Sequence, residues 1–265
     1  MYGTVSTCVA RIYLTLGGAI FIRLSKSKCV KKIVQEKNKV GIVLKYFPIM
    51  GAAERVRLAL WLGGIEFEDV RIPPVDWAKL KGETPFGQLP VMSIDEGPYI
   101  AQSNAMLQYI GTLAPQLCPA DQFLKVQEAI GIVDDFERAF RPCIGIALEP
   151  DKLGYGITPA TSLLVKDSPA LSGTIKALRE AFLLSELPKY CGFFSGIIEN
   201  SGGPFLCGVE PTLADCCLVP ALERYTLGYI DHVPREALDA YPAMKLYLEV
   251  FKALPQVTAY ERSKS

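Results

Sequence analysis

The sequence predicts a small α/β domain followed by an all-helical one, and three observations carry that expectation. After Lys39 the chain runs strand, helix, strand, and then a hairpin and a second helix. Two prolines and no apolar periodicity mark residues 115–121 as a linker. Beyond the linker no strand pattern recurs, and four stretches carry apolar residues at helical spacing.

The elements follow in order. Val40 to Phe47 is a short apolar run rich in β-branched residues and reads as a strand. Gly51-Ala52-Ala53-Glu54 opens a helix whose apolar residues are Val56, Leu58, Ala59, Leu60 and Leu62. Gly63-Gly64 ends it, because glycine tolerates the left-handed conformation past a helix C-terminus. Phe67 to Ile72 alternates as a half-buried strand. Leu89 to Ile94 is a further strand, joined through the turn signal Asp95-Glu96-Gly97 to its partner Tyr99-Ile100-Ala101. A helix follows from Ser103 to Leu113. This order is that of a thioredoxin-like domain, with a right-handed crossover between its first two strands. Residues 123–140, 171–191, 212–227 and 241–254 read as helices. The expected organisation is an extension over 1–39, a thioredoxin-like domain over 40–117 and an all-helical domain over 122–265.

Composition narrows the chemistry. Half of the 265 residues are apolar, enough for a sizeable core. The 28 basic and 28 acidic residues balance, so bulk attraction to nucleic acid is not expected. The single histidine, His232, follows Asp231 and precedes Val233-Pro234, a loop context. A metal site built on several histidines is therefore excluded, and a Ser-His-Asp triad would have to use His232. The eight cysteines include no CxxC pair. Scattered thiols in a chain this long read as buried side chains in a reducing compartment, which points to the cytoplasm.

Residues 1–39 differ from the rest. Six basic residues lie between Arg11 and Lys32, and no acid appears before Glu36. The apolar run 12–22 is shorter than the roughly 20 residues that a membrane span needs. Its length fits a signal-peptide core, and the basic, acid-poor character fits an organelle transit segment. Membrane association through 12–22, organelle targeting and a segment without a role all stand as readings of this extension.

Four motifs recur in order along the remaining chain. Lys45-Tyr46-Phe47 is followed by Gly51-Ala52-Ala53-Glu54-Arg55-Val56-Arg57. Then come Asp76-Trp77, Lys81 and Thr84-Pro85-Phe86-Gly87-Gln88-Leu89-Pro90-Val91. The third motif is Gln102-Ser103-Asn104-Ala105, and the last is Pro211-Thr212-Leu213-Ala214-Asp215. Together they resemble the tyrosine-type glutathione transferases, most closely the sigma class with its glutathione-dependent prostaglandin D synthases. The resemblance covers about 220 residues.

The resemblance implies a site for each part of glutathione, which serves as co-substrate with no further cofactor and no metal. Tyr46 is the residue that handles the thiol. A free thiol titrates near pH 8.5, so a hydroxyl that donates to the sulfur, with a helix N-terminus close by, favours the reactive thiolate. Gln88, Leu89 and Pro90 belong to the motif whose X-Pro bond is cis in the family, which exposes the Leu89 backbone to the cysteinyl part. Gln102 and Ser103 open a helix, Ser103 being a good N-cap by type, and would receive the γ-glutamyl end. Trp77 and Lys81, four apart, would hold the glycyl carboxylate. Thr212 and Asp215 form an [ST]-x-x-[DE] cap, and replacing either is expected to cost about 1 kcal/mol.

The sequence also departs from the family. The sigma-like pattern places basic residues after the tyrosine, where this chain has Met50 and Ala52. In the family the second of these helps set the electrostatics of the tyrosine hydroxyl, so its loss bears on thiol activation and need not prevent glutathione binding. Met50, Phe136, Phe140 and Ile144 are candidates for the electrophile pocket, and at helical spacing equally for the core. Asp134, Asp135 and Glu137 lie where the family can offer an acid across a dimer interface. The expected function is conjugation of glutathione to small hydrophobic electrophiles by a homodimer. A glutathione-dependent isomerase resembling prostaglandin D synthase and a non-catalytic binding or structural protein are the alternatives.

Overall fold

The computed structural model describes residues 41–148 and 171–264. The expected extension, with the apolar run 12–22, lies outside the described residues. From Gly41 onward the chain forms one compact unit. Its sheet comprises β1 (Ile42–Tyr46), β2 (Phe67–Arg71), β3 (Val91–Ile94) and β4 (Ile100–Ala101) in the order β2-β1-β3-β4. β1 and β2 are parallel, and the other two pairings are antiparallel. Between the strands lie α1 (Glu54–Leu62) and the short α2 (Trp77–Leu80), and α3 (Ser103–Leu113) follows the hairpin. The helical half contains α4 (Phe123–Leu148), α5 (Ser172–Glu199), α6 (Leu213–Glu223), α7 (Pro242–Lys252) and α8 (Pro255–Ser263).

Alternation along β1 buries Ile42, Leu44 and Tyr46 on one face, so the pleat alone commits Tyr46 to the interior. α1 is buried along most of its length and packs on α3, α6 and α8, which makes it the joint between the sheet half and the helical half. Gly64, not Gly63, adopts the left-handed conformation beyond α1, with φ 65°. Asp95 and Glu96 both take positive φ in the β3–β4 turn.

Three expectations are corrected. α4 runs on past Pro142 to Leu148 instead of stopping near Phe140. Proline removes one ladder hydrogen bond, but Phe140, Cys143 and Ile146 keep helical spacing and are all buried, which outweighs that loss. α5 runs on to Glu199, past the expected end at Cys191. α8 was absent from the expected elements, because Val257 and Tyr260 are its buried residues and two are too few to show a period.

The cap of α6 forms as expected. Asp215 accepts from the Thr212 backbone N–H at 2.7 Å and from its hydroxyl at 2.9 Å. It also accepts from the Leu206 N–H at 3.0 Å and the Tyr247 hydroxyl at 2.9 Å, which ties α6 to the preceding loop and to α7. Among the described residues no helix is long and apolar enough to cross a membrane. The six described cysteines are free thiols, and among the described residues no group of His, Cys, Asp and Glu is placed to hold a metal ion.

Candidate active site

Strand polarity gathers the predicted residues at one end of the sheet. β1 and β2 run parallel, so Tyr46 and the segment leading to Trp77 leave the sheet at the same end. β3 is antiparallel to β1 with Val91 opposite Lys45, and one step further along that register puts Pro90 beside Tyr46. Val91 also pairs with Ala101, so the same step puts Gln102 beside Pro90.

Side chains complete the connection. Phe47 lies between Tyr46 and Trp77, with ring centroids 5.5 Å and 5.8 Å apart. Lys81 caps α2, and its aliphatic stem lies across Gly87, where a Cβ would meet it at 3.2 Å. The Gln102 amide donates to the Gln88 side-chain oxygen at 3.5 Å. The Leu89–Pro90 bond is cis. Lys81, Gln88 and Gln102 are exposed, Trp77, Leu89 and Ser103 are half-buried, and Pro90 is buried. The structure thus brings all eight predicted glutathione-site residues to one rim.

Ser103 is not the N-cap of α3. It is the first helical residue, and Gln102 takes the cap position with φ 75° and ψ 104°. That left-handed turn swings the chain from β4 into the helix one residue earlier than the sequence implies. Holding a non-glycine residue there costs about 1–3 kcal/mol, and such strain gathers at functional sites.

Tyr46 is 9% exposed. Its hydroxyl accepts a hydrogen bond from the Ala52 backbone N–H at 3.2 Å. This contact requires glycine at 51, which has φ 43° and whose added Cβ would lie 2.7 Å and 2.9 Å from two Tyr46 ring carbons and closer still to the hydroxyl. Burial pushes the Tyr46 hydroxyl above its ordinary value. The Ala52 N–H and the guanidinium groups of Arg57, Arg224 and Arg141 act against burial without overcoming it. Tyr46 is therefore protonated at neutral pH, and a phenol that accepts from Ala52 keeps its own proton to donate.

Arg57 was not among the predicted residues. It is fully buried, and its guanidinium carbon lies 5.7 Å from the Tyr46 ring centroid. Its Nε donates to both Asp69 oxygens at 3.2 Å and 3.1 Å. Its Nη1 donates to the Ile49 and Met50 carbonyls at 3.0 Å and 3.3 Å, which orders the loop after Tyr46. The signal in the sequence was an arginine amid the apolar residues of α1, with a carboxylate three positions earlier at Glu54.

The electrophile-pocket candidates separate. Phe136 and Phe140 are each 1% exposed and pack with Phe182 and Tyr225, so the structure places them in the core of the helical half. Met50 and Ile144 are half-buried. Of the three acids on α4, Asp134 bridges to Arg55 at 2.7 Å and to the Asn104 amide at 2.6 Å, and Glu137 pairs with Arg224. Asp135 pairs with the exposed Arg138 on its own helix.

Comparison with known proteins places this geometry. The chain matches the family described as "Glutathione S-transferase, N-terminal domain" over residues 50–113, and that described as "Glutathione S-transferase, C-terminal domain" over residues 170–264. It is 31% identical to "Probable glutathione S-transferase 7" of Caenorhabditis elegans, over 78% of this chain and 88% of the relative. It is 28% identical to "Glutathione S-transferase 1" of Ascaris suum, over 84% of this chain and 97% of the relative. A solved prostaglandin synthase D of Nilaparvata lugens superposes with a TM-score of 0.68 at 25% identity, over 85% of this chain and 98% of that one. With both domain families matched and a relative at 31% identity spanned over most of its length, the chain belongs to the glutathione S-transferase family.

Proposed function

We propose that the protein conjugates the glutathione thiolate to small hydrophobic electrophiles, a detoxifying activity. The observation that supports this most is the buried, protonated Tyr46 at the rim where Trp77, Lys81, Gln88, Leu89, Pro90, Gln102 and Ser103 converge. Lys81 and Trp77 take the glycyl carboxylate, and the Leu89 backbone pairs with the cysteinyl part. Gln102, Ser103 and the open N–H groups at the start of α3 take the γ-glutamyl end. The Tyr46 hydroxyl donates to the sulfur and lowers the thiol pKa, and the thiol proton leaves to solvent. The thiolate then forms a carbon–sulfur bond as the electrophile's leaving group departs. A charge-assisted hydrogen bond of about 1.5–3 kcal/mol corresponds to one or two pKa units.

The test measures chlorodinitrobenzene conjugation and glutathione affinity for the wild type, Tyr46→Phe, Lys81→Ala and Ser103→Ala. Tyr46→Phe is expected to lose about ten- to a hundredfold in kcat with affinity retained. Lys81→Ala and Ser103→Ala are expected to lose affinity. Tight binding with no turnover in the wild type sinks the transferase reading and leaves a binding protein. No glutathione binding at all sinks the site map.

The likeness to the prostaglandin synthase D favours a second reading, glutathione-dependent isomerisation of a lipid-derived substrate. Product analysis separates the two, because isomerisation regenerates glutathione and conjugation consumes it. We also infer a homodimer. Phe86 is 67% exposed, and an apolar cavity of about 620 Å³ opens between α4 and α5 beside the exposed Phe193. Light scattering at the mass of one chain would overturn it.

A further inference from the structure

Glu54 joins the C-terminal helix to the loop that covers Tyr46. Its side chain is almost wholly buried and its two oxygens have different partners. Oε1 accepts from the Tyr260 hydroxyl at 3.0 Å and from Lys264 Nζ at 2.7 Å, both at the end of the chain. Oε2 accepts from Arg57 Nη1 at 3.0 Å. The same nitrogen donates to the Ile49 and Met50 carbonyls, and two residues beyond Met50 the Ala52 N–H reaches the Tyr46 hydroxyl. A path of hydrogen bonds, completed by the loop backbone from Met50 to Ala52, therefore runs from the α8 end of the chain to Tyr46.

The charges along this path balance. Glu54, Asp69 and Glu261 face Arg57, Arg71 and Lys264, with Arg71 on Asp69 and Glu261 on Lys264. Nη1 of Arg57 has two hydrogens for three acceptors, namely two loop carbonyls and Glu54. How those hydrogens are shared depends on how strongly Glu54 pulls. With Lys264 present, the carboxylate is satisfied from the α8 side and Arg57 spans both. Without it, the buried charge has Arg57 as its remaining cationic contact, which draws the guanidinium off the Ile49 and Met50 carbonyls.

We propose that Tyr260 and Lys264 are positioning residues for Tyr46, acting through Glu54 and Arg57 to hold the loop whose Ala52 N–H meets the Tyr46 hydroxyl. This rests on the proposed role of Tyr46, and the experiment keeps the two apart by reading the loop as well as turnover. In the full chain, Lys264→Ala, Tyr260→Phe, the double variant and Lys264→Arg are compared with the wild type. Amide hydrogen exchange is followed at Ala52, and conjugation of chlorodinitrobenzene gives kcat and the glutathione KM.

The double variant is expected to exchange the Ala52 amide about tenfold faster and to lose about tenfold in kcat, with KM within about twofold, the size of one lost hydrogen bond. Lys264→Arg keeps the cation and restores both. Unchanged Ala52 exchange in the double variant overturns the proposal. So does faster exchange throughout β1 and α1 with kcat and KM lost together, which marks a general loss of structure. A wild type without turnover ends the Tyr46 reading, while Ala52 exchange still decides the clamp. Should the double variant fail to fold, Tyr260→Phe, which removes one hydroxyl, decides by the same two readouts.

Discussion

Gly51→Ala tests whether the loop after Tyr46 is built around that side chain. The new Cβ would lie 2.7 Å and 2.9 Å from two ring carbons, where comfortable carbon contacts begin near about 3.5 Å. Relief requires the loop or the ring to move by roughly 1 Å. A shift of that size breaks the Ala52 hydrogen bond, which is already 3.2 Å long. The lost bond costs about 1 kcal/mol and the left-handed backbone at φ 43° about 1 kcal/mol more. Denaturant unfolding should therefore show a loss of about 2 kcal/mol, and kcat should fall about tenfold or more as the hydroxyl leaves its place. KM for glutathione should hold, because Lys81, Gln102 and Ser103 lie outside the loop. Gly64→Ala is the control: its φ is 65° but nothing lies within 4 Å of the added Cβ, so it carries the backbone cost alone and leaves turnover intact. Wild-type stability and turnover in Gly51→Ala, or equal losses in the two variants, would refute the reasoning.

Three further outcomes are expected. Asp215→Ala should cost about 3 kcal/mol or more in denaturant unfolding, because it strands three further donors besides the Thr212 N–H, whereas Thr212→Ala should cost about 1 kcal/mol. Burial alone would raise the Glu54 pKa, but Lys264 and Arg57 outweigh it and hold the carboxyl below its ordinary 4.5. A lowered folded-state pKa gives stability that is full above the unfolded value and lost as pH falls through the folded one. Thermal unfolding should thus show an acid-side loss below about pH 4.5 that Glu54→Gln lacks. Phe140→Ala should cost about 3–5 kcal/mol, as a core ring does, and equal stability with a changed KM for the electrophile would return Phe140 to the pocket.

What the sequence revealed was whatever a local pattern or a strand end could encode. Tyr46 ends a strand whose period was visible, and Pro90 and Gln102 each sit one residue from such a strand, so strand polarity alone assembled them. Ser103 was misplaced by one position because no propensity anticipates a glutamine at φ 75°. Phe136 and Phe140 stayed ambiguous because helical spacing marks a buried face without saying whether another helix or a ligand fills it. Arg57 was missed for a different reason. Its meaning comes from Asp69 in the neighbouring strand and from two loop carbonyls, all of which only the tertiary fold brings to it. The link from Glu54 to Lys264 spans 210 residues and leaves no trace in local pattern.

Ala52 is where the sequence raised its sharpest question, and the structure changes its form. The missing basic side chain leaves Tyr46 with a backbone donor and with Arg57, which together do not offset burial. A protonated phenol still donates to a thiolate, but less strongly than one whose own pKa is lowered by a nearby cation. Turnover should then be limited by the thiol pKa rather than by glutathione affinity. Ala52→Arg places a cation at an exposed position. In partly solvated surroundings it should be worth about 1 kcal/mol. That is a gain of about fivefold in kcat/KM at neutral pH and a fall of a little under one unit in the apparent pKa of the pH–rate profile. A profile that does not move while Tyr46→Phe still lowers kcat about ten- to a hundredfold would mean that the Ala52 N–H and Arg57 already supply all the stabilisation the hydroxyl can use.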